Sequence, residues 1–316
     1  MSEFRLFYYD NSRLKMSKSI EMMKKIPMEN ILWIDLNDVT IDEESQLEQF
    51  LKIEVQEEEE IEEIEISSRY IETEDTIVAN SNFLIDGTSE QEPVSFIMKN
   101  NILVSVRNTD LKSFNDTTKK IFANTKNYTS GFQVFCALIE TRVELDADMI
   151  EDLTVEITSL SKTLTNISDL DEDILIAIKN LQEKTMLIRE NIVDKQRVIS
   201  SVLRSEMFPA ELKPKLSMVV KDINSLYEHT RFSFERLEYM QDTFLGLLNV
   251  EQNKIIKIFT VVSVIFLPPT LVASMYGMNF DFMPELHWRY GYLWAIGLML
   301  AFVAIILWYF KRQKWI

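Results

Sequence analysis

Apolar positions follow two regimes along the chain: short alternation with charged residues up to about position 250, then an almost continuous apolar stretch to the end. In the first regime, short runs rich in apolar and β-branched residues predict strands at 31–36, 64–71, 76–85, 94–98 and 102–106. Lys99-Asn100-Asn101 supplies the turn chemistry between the last two. Helical spacing predicts helices at 41–52 and 111–124. From about Gly131 the pattern is helical, with a break across 165–171, a helix over 173–205, and a turn at Phe208-Pro209-Ala210 and Pro214.

Beyond Pro214 the spacing lengthens into a heptad stripe. Leu216, Val220, Ile223, Tyr227, Thr230, Phe234, Leu237, Gln241, Phe244, Leu248, Glu251, Ile255, Ile258 and Val262 alternate steps of four and three. No proline falls between Lys215 and Leu267. A single helix over 215–275 would be about 90 Å long, too long for a small domain. It is expected to leave the soluble part and enter a bilayer, with its stripe packed on other helices.

Residues 258–280 and 290–310 carry no charge, and each is long enough to cross a hydrocarbon core of about 30 Å. Tyr276, Trp288, Tyr290, Tyr292 and Trp294 mark one interface, and Trp308, Tyr309 and Trp315 the other. The second span has no Ser, Thr, Asn or Gln from 291 to 310. The first carries Thr260, Ser263, Thr270 and Ser274 on one helix face, which extends back to Asn253 and forward to the Asn279 region. Such a stripe reads either as contact with water, which requires several subunits around an axis, or as hydroxyls satisfying their own backbone or gluing helices. Pro268 and Pro269 remove two amide donors within this span and predict a kink.

Charge sharpens the picture. The formal net charge of −17 sits almost wholly on the N-terminal part, which argues against nucleic acid as a partner and suits attraction of cations. The densest acidic run lies between Glu57 and Glu63. Asp146, Asp148, Glu151 and Asp152 read as one acidic helix face. A single cysteine, Cys136, forbids a disulfide within the chain and reads as a small buried apolar residue. His229 and His287 read as surface or helix-end residues. No apolar leader opens the chain, so the acidic part is expected in the cytoplasm. Lys254 and Lys257 precede the first span and Lys311, Arg312 and Lys314 follow the second, whereas the connection has Arg289 with Asp281 and Glu285. The positive-inside rule then places both termini in the cytoplasm, in a multi-pass protein of the cell inner membrane.

The first span ends in Tyr276-Gly277-Met278-Asn279-Phe280, followed by Met283-Pro284-Glu285-Leu286. Gly277 is expected to stop the helix at positive φ. Asn279 then offers a neutral oxygen, which suits a hydrated magnesium ion that gives up its waters reluctantly. Gly277-Met278-Asn279 at this place, with the Met-Pro-Glu-Leu connection and the basic tail Lys311-Arg312-Gln313-Lys314-Trp315-Ile316, resembles the CorA family of magnesium channels. The likeness is close over 215–316 and architectural before it.

That resemblance implies an α+β cytoplasmic domain of α/β/α sandwich type, a very long pore-lining helix, a second transmembrane helix, and a funnel-shaped homopentamer. The regions are 1–130 (α/β), 131–209 (acidic helices), 210–276 (long helix), 277–289 (outer loop), 290–310 (second span) and 311–316 (tail). Gly277, Met278 and Asn279 would form the outer selectivity ring, with the acids Asp281 and Glu285 nearby. Asn253, Ile256, Thr260, Ser263, Leu267, Thr270 and Ser274 would line the pore, Ile256 and Leu267 as apolar constrictions. Lys311, Arg312 and Lys314 would form a basic collar. Asp222 and Glu228 are the nearest match to the family's regulatory acids, although Ser225 falls where an acid is expected. No resident cofactor is expected; magnesium enters as the transported and the regulatory ion. Transport of cobalt, nickel or zinc on the same fold, and a membrane-anchored helical scaffold without a pore, are the competing readings. An enzyme is disfavoured, because there is no nucleophile–base set and only six glycines for any phosphate loop.

Overall fold

A computed structural model describes residues 3–53, 55, 69–85, 87–88, 90–164, 172–279, 281, 283–313 and 315. The acidic run from Glu57 to Glu63, residues 64–68 of the strand expected at 64–71, the break across 165–171 and Lys314 lie outside them. The chain divides into two compact units, one ending at Met240 and one formed by residues 241–316.

The first unit is built on a seven-stranded sheet of order β2-β1-β3-β7-β6-β5-β4. Its strands are β1 (Glu3–Asp10), β2 (Arg13–Ser17), β3 (Ile31–Asn37), β4 (Tyr70–Glu72), β5 (Thr76–Leu84), β6 (Gln91–Lys99) and β7 (Ile102–Arg107). Only β3 and β7 pair in parallel; the other neighbours are antiparallel. Two hairpins turn through paired left-handed residues, Asn11-Ser12 (φ 47° and 62°) and Asn100-Asn101 (φ 50° and 67°). Twin positive φ gives the turn a twist that matches the flanking strands.

Helix α1 (Ile41–Leu51) starts at a reciprocal cap: the Thr40 hydroxyl accepts from Glu43 N and the Glu43 carboxylate accepts from Thr40 N. It covers one sheet face through Leu47 and Leu51 on Phe4, Leu6, Ile34, Leu36, Val78, Ile97 and Val104. The opposite face is aromatic. Phe7 stacks on Trp33 at 4.5 Å between ring centroids, Trp33 meets Phe114 of α2 (Lys112–Ala123) at 6.0 Å, and Phe96 meets Phe135 of α3 (Gly131–Thr163) edge-on at 5.3 Å. Helices on both faces make an α/β/α sandwich.

Two buried ionic clusters tie these layers together. Asp35 on β3 accepts from Arg5 Nε at 2.9 Å, Ser105 Oγ at 2.7 Å and Arg107 Nη2 at 2.9 Å. In the second cluster, Asp146 of α3 accepts from Arg142 Nε at 2.9 Å and pairs with Lys195 Nζ of α4 (Glu172–Arg204) at 3.1 Å. Arg142 also donates to the Leu84 carbonyl at 2.8 Å, and Asn191 to the Asn82 carbonyl at 2.7 Å, so β5 is clamped to both helices. Asp146 therefore does not belong to an exposed acidic face with Asp148, Glu151 and Asp152. It is 1% exposed, because two cations from adjacent turns and helices compensate its charge. Cys136 is fully buried, and burial pushes its thiol up to about 12.

Helix α5 (Lys213–Tyr276) is continuous over 64 residues and runs through Pro268 and Pro269. Within the first unit its heptad positions Leu216, Ile223, Thr230 and Leu237 are buried in the chain's own fold. Further along, Leu248, Ile255, Ile258 and Val262 are exposed, so the stripe has partners within the chain over its first part only. Helix α6 (Gly291–Arg312) closes the second unit.

Candidate ion pathway along the first membrane-crossing helix

Helices α5 and α6 are both long and apolar enough to cross a bilayer, and only 11% and 6% of their most apolar stretches are buried. Core helices of a soluble domain would be covered; these are apolar and bare, which calls for lipid or further protein. The few covered residues of the membrane part of α5 are Val261 and Val272, with Lys257, Ile265, Pro268, Pro269 and Tyr276 half-buried. At 100° per residue they lie on one side of the helix. The start of α5's membrane part meets the end of α6: Lys257 Nζ sits 5.8 Å above the Trp315 ring, and Trp315 stacks on Phe310.

Thr260, Ser263, Leu267, Thr270 and Ser274 are all exposed. Their mean direction lies about 150° around the helix from the Val261–Val272 side. Ile256 and Asn253, also exposed, continue the line one turn at a time. The structure thus gathers the predicted pore-lining residues on one bare face, turned away from the covered side. The threonine hydroxyls are not idle on that face. Thr260 Oγ1 donates to the Ile256 carbonyl and Thr270 Oγ1 to the Phe266 carbonyl, each at 2.8 Å. The self-satisfying reading of the hydroxyls is therefore realised in geometry, and it coexists with the one-sided stripe. Pro268 and Pro269 leave the carbonyls of Val264 and Ile265 without their usual amide donors.

Helix α5 stops at Tyr276, but not by a left-handed glycine. Gly277 keeps a negative φ, unlike Gly87, which is the positive-φ glycine of the described residues. Its amide still donates to the Ala273 carbonyl at 3.0 Å, and Met278 N then tightens to Met275 O at 3.3 Å. The helix winds down through a narrower last turn. A Cβ at Gly277 would sit 3.2 Å from the Ala273 oxygen, a close but small conflict. Met278, Asn279, Asp281 and Glu285 are exposed. A 3-10 turn over Pro284–His287 leads to α6, whose first residue, Gly291, lies so close to the turn that a Cβ would come within 2.2 Å of the Glu285 carbonyl.

The predicted regulatory acids are not brought together within one chain. Asp222 and Glu228 are exposed and six residues apart on a helix, about 120° around it from one another. Glu228 pairs with Arg231 at 2.9 Å and borders a cavity of about 390 Å³ lined also by His229, Phe232, Ser233 and Arg236.

A family profile described as CorA-like Mg2+ transporter protein matches residues 28–312. The chain belongs to the CorA family. This CorA-family protein is 38% identical over 294 residues to the magnesium transport protein CorA of Wolinella succinogenes, covering 91% of this chain and 92% of that one. It is 33% identical over 316 residues to the Escherichia coli K12 magnesium transport protein CorA, covering 98% and 99%. The complete structure of the CorA magnesium transporter from Methanocaldococcus jannaschii superposes with a TM-score of 0.84 at 20% identity, over 100% of this chain and 99% of that one. The family membership makes the chain a membrane transporter of magnesium rather than an enzyme. Sequence reasoning gave no role to the Arg142–Asp146–Lys195 cluster or to the contact of Lys257 with Trp315. Both depend on residues far apart in sequence, and only the lone apolar context of Lys257 was a signal.

Proposed function

We propose that this CorA-family protein assembles as a homopentamer in the cell inner membrane, with both termini in the cytoplasm. Hydrated magnesium would pass along the shared axis. The observation that carries the reading is the one-sided stripe: Thr260, Ser263, Leu267, Thr270 and Ser274 are bare, and they face away from the side of α5 that the chain itself covers. Thr260 and Thr270 bond their own helix, but the Ser263 and Ser274 hydroxyls on the same face have no such partner among the described residues and are costly against lipid tails, so the natural neighbour of this face is a wet axis shared by several copies. Ile256 and Leu267 constrict that axis by dewetting, with Asn253 at the inner mouth. Gly277, Met278 and Asn279 of each copy form the outer ring, with Asp281 and Glu285 beyond it. The Asn279 oxygens accept hydrogen bonds from the waters that magnesium retains. Regulation by internal magnesium at Asp222 and Glu228 requires acids from two neighbouring copies, since one chain does not unite them.

The test is growth of a magnesium-requiring strain, with membrane level and oligomer mass measured alongside. Asn279→Ala removes the acceptors and leaves the last helical turn intact. It should assemble as a pentamer and fail to support growth at low magnesium. Normal growth by an assembled variant overturns the selectivity assignment, and a native mass of monomer or dimer overturns the pore. Flux of cobalt, nickel and zinc against magnesium in liposomes decides the ion.

A further inference from the structure

The end of the helical hairpin that joins Lys257 to the tail carries cations whose partners are aromatic rings. Lys257 Nζ lies 5.8 Å above the Trp315 ring, and the Arg312 guanidinium lies 5.7 Å from the Trp308 ring centre. No carboxylate of the described residues pairs with either. Trp315 is also held by α6. Its amide donates to the Phe310 carbonyl at 3.0 Å and its ring stacks on the buried Phe310 at 5.6 Å. The aromatic face holds each cation at the boundary of the apolar span but leaves its N–H donors unfilled.

These cations do not point where the polar stripe points. Lys257 lies about 100° around α5 from the middle of the stripe, and Lys254 about 160°. On α6, Arg312 and Trp308 lie roughly 160° from the buried Phe310, on the outward face. Arg312 and Trp308 thus sit on the outer face of α6, and Lys257 with Trp315 at the seam that α5 and α6 share, all at the depth where an apolar span meets headgroups.

We propose that Lys257 with Trp315, and Arg312 with Trp308, bind the phosphate of anionic phospholipids at this end of the hairpin. The two pairs lie on opposite sides of α6, so each takes its own headgroup, one at the seam of the two helices and one on the outer face. Aromatic rings lie at headgroup level and guanidinium and ammonium groups reach the phosphate, as interfacial residues do. Selection for a net negative headgroup follows from the surplus of cations, because a zwitterionic lipid offers no net charge to meet them.

The experiment uses the full chain, purified in mild detergent and exposed to equal amounts of phosphatidylglycerol and phosphatidylcholine, with bound lipid read by native mass spectrometry. Wild type should retain phosphatidylglycerol in preference. Lys257→Gln and Arg312→Gln should each weaken that retention about fivefold. Lys257→Arg should restore it. Lys179→Gln, an equal charge change at an exposed ion pair with Glu183, should leave it unchanged. Excess inorganic phosphate distinguishes the source: it should not displace the lipid. Equal retention of the two lipids overturns the proposal, as does undiminished retention in the Gln variants or loss in Lys179→Gln. Displacement by inorganic phosphate would assign the groups to a free anion instead.

Discussion

Lys195 offers a quantitative test of the buried cluster in the sheet-bearing unit. Its ammonium is fully buried and faces Asp146 and Arg142 of α3, Asp194 and Asn191 of its own helix, and the Phe83 ring of β5 at 5.6 Å. Burial dominates: it holds the amine down to about 8 from an ordinary 10.5, against the attraction of Asp146. Between those two values the unfolded chain holds a proton that the folded chain has lost, so stability rises with pH across this window. The penalty is complete below pH 8 and gone above 10.5. Each pH unit inside the window is worth about 1.4 kcal/mol, so moving from pH 8 to 9.5 should stabilise the protein by about 2 kcal/mol. For a unit of this size that is about 4–8 °C in melting midpoint. Lys195→Met deletes the titration and leaves Asp146 paired with Arg142. Full-length wild type and variant, melted in the same detergent over this range, should diverge by that amount, with wild type gaining. Parallel midpoints at every pH would refute the argument that Lys195 is a desolvated cation.

Leu267→Ala and Ile256→Ala should fold normally, since both side chains are exposed in the single chain; each should raise basal magnesium leak in dye-loaded liposomes severalfold, and unchanged leak in both would place these residues against lipid. Neutralising Asp222 and Glu228 together should move closure to higher internal magnesium, and closure over the same range in patch recordings would exclude them as regulatory acids. Gly291→Ala must displace the Glu285 carbonyl and should cost about 1–3 kcal/mol, read as a lower melting midpoint, whereas Gly277→Ala should lose much less.

Much of this architecture is written in local pattern. Strands β3, β5, β6 and β7 fall where short apolar runs place them, because helices cover both sheet faces and the strands are buried on both sides. The two spans are legible because lipid admits little but long apolar helices. The first hairpin is not. Strand β1 buries Arg5 in its middle, and that charge is tolerable only because Asp35 waits on the neighbouring strand. Asp146 misleads in the same way: a carboxylate on a helix reads as solvated until Lys195 and Arg142 are seen around it. Gly277 ends a helix, as the glycine suggests, yet by a tightened right-handed turn rather than a left-handed one. The long heptad stripe is legible as a stripe, but its partners are not, since the same spacing serves the chain's own helices over Leu216–Leu237 and bare positions beyond.

The hydroxyl bonds of Thr260 and Thr270 have a consequence for sign discrimination. A threonine hydroxyl has one proton and two lone pairs, and here the proton is committed to a carbonyl of the same helix. What remains to face outward is acceptor only. Water around a cation turns its hydrogens outward; water around an anion turns its lone pairs outward. At these two positions an acceptor with no free proton suits the first kind of shell and offers nothing to the second. On the proposed axis, Thr260 and Thr270 would therefore favour hydrated cations over hydrated anions without one charged side chain inside the membrane.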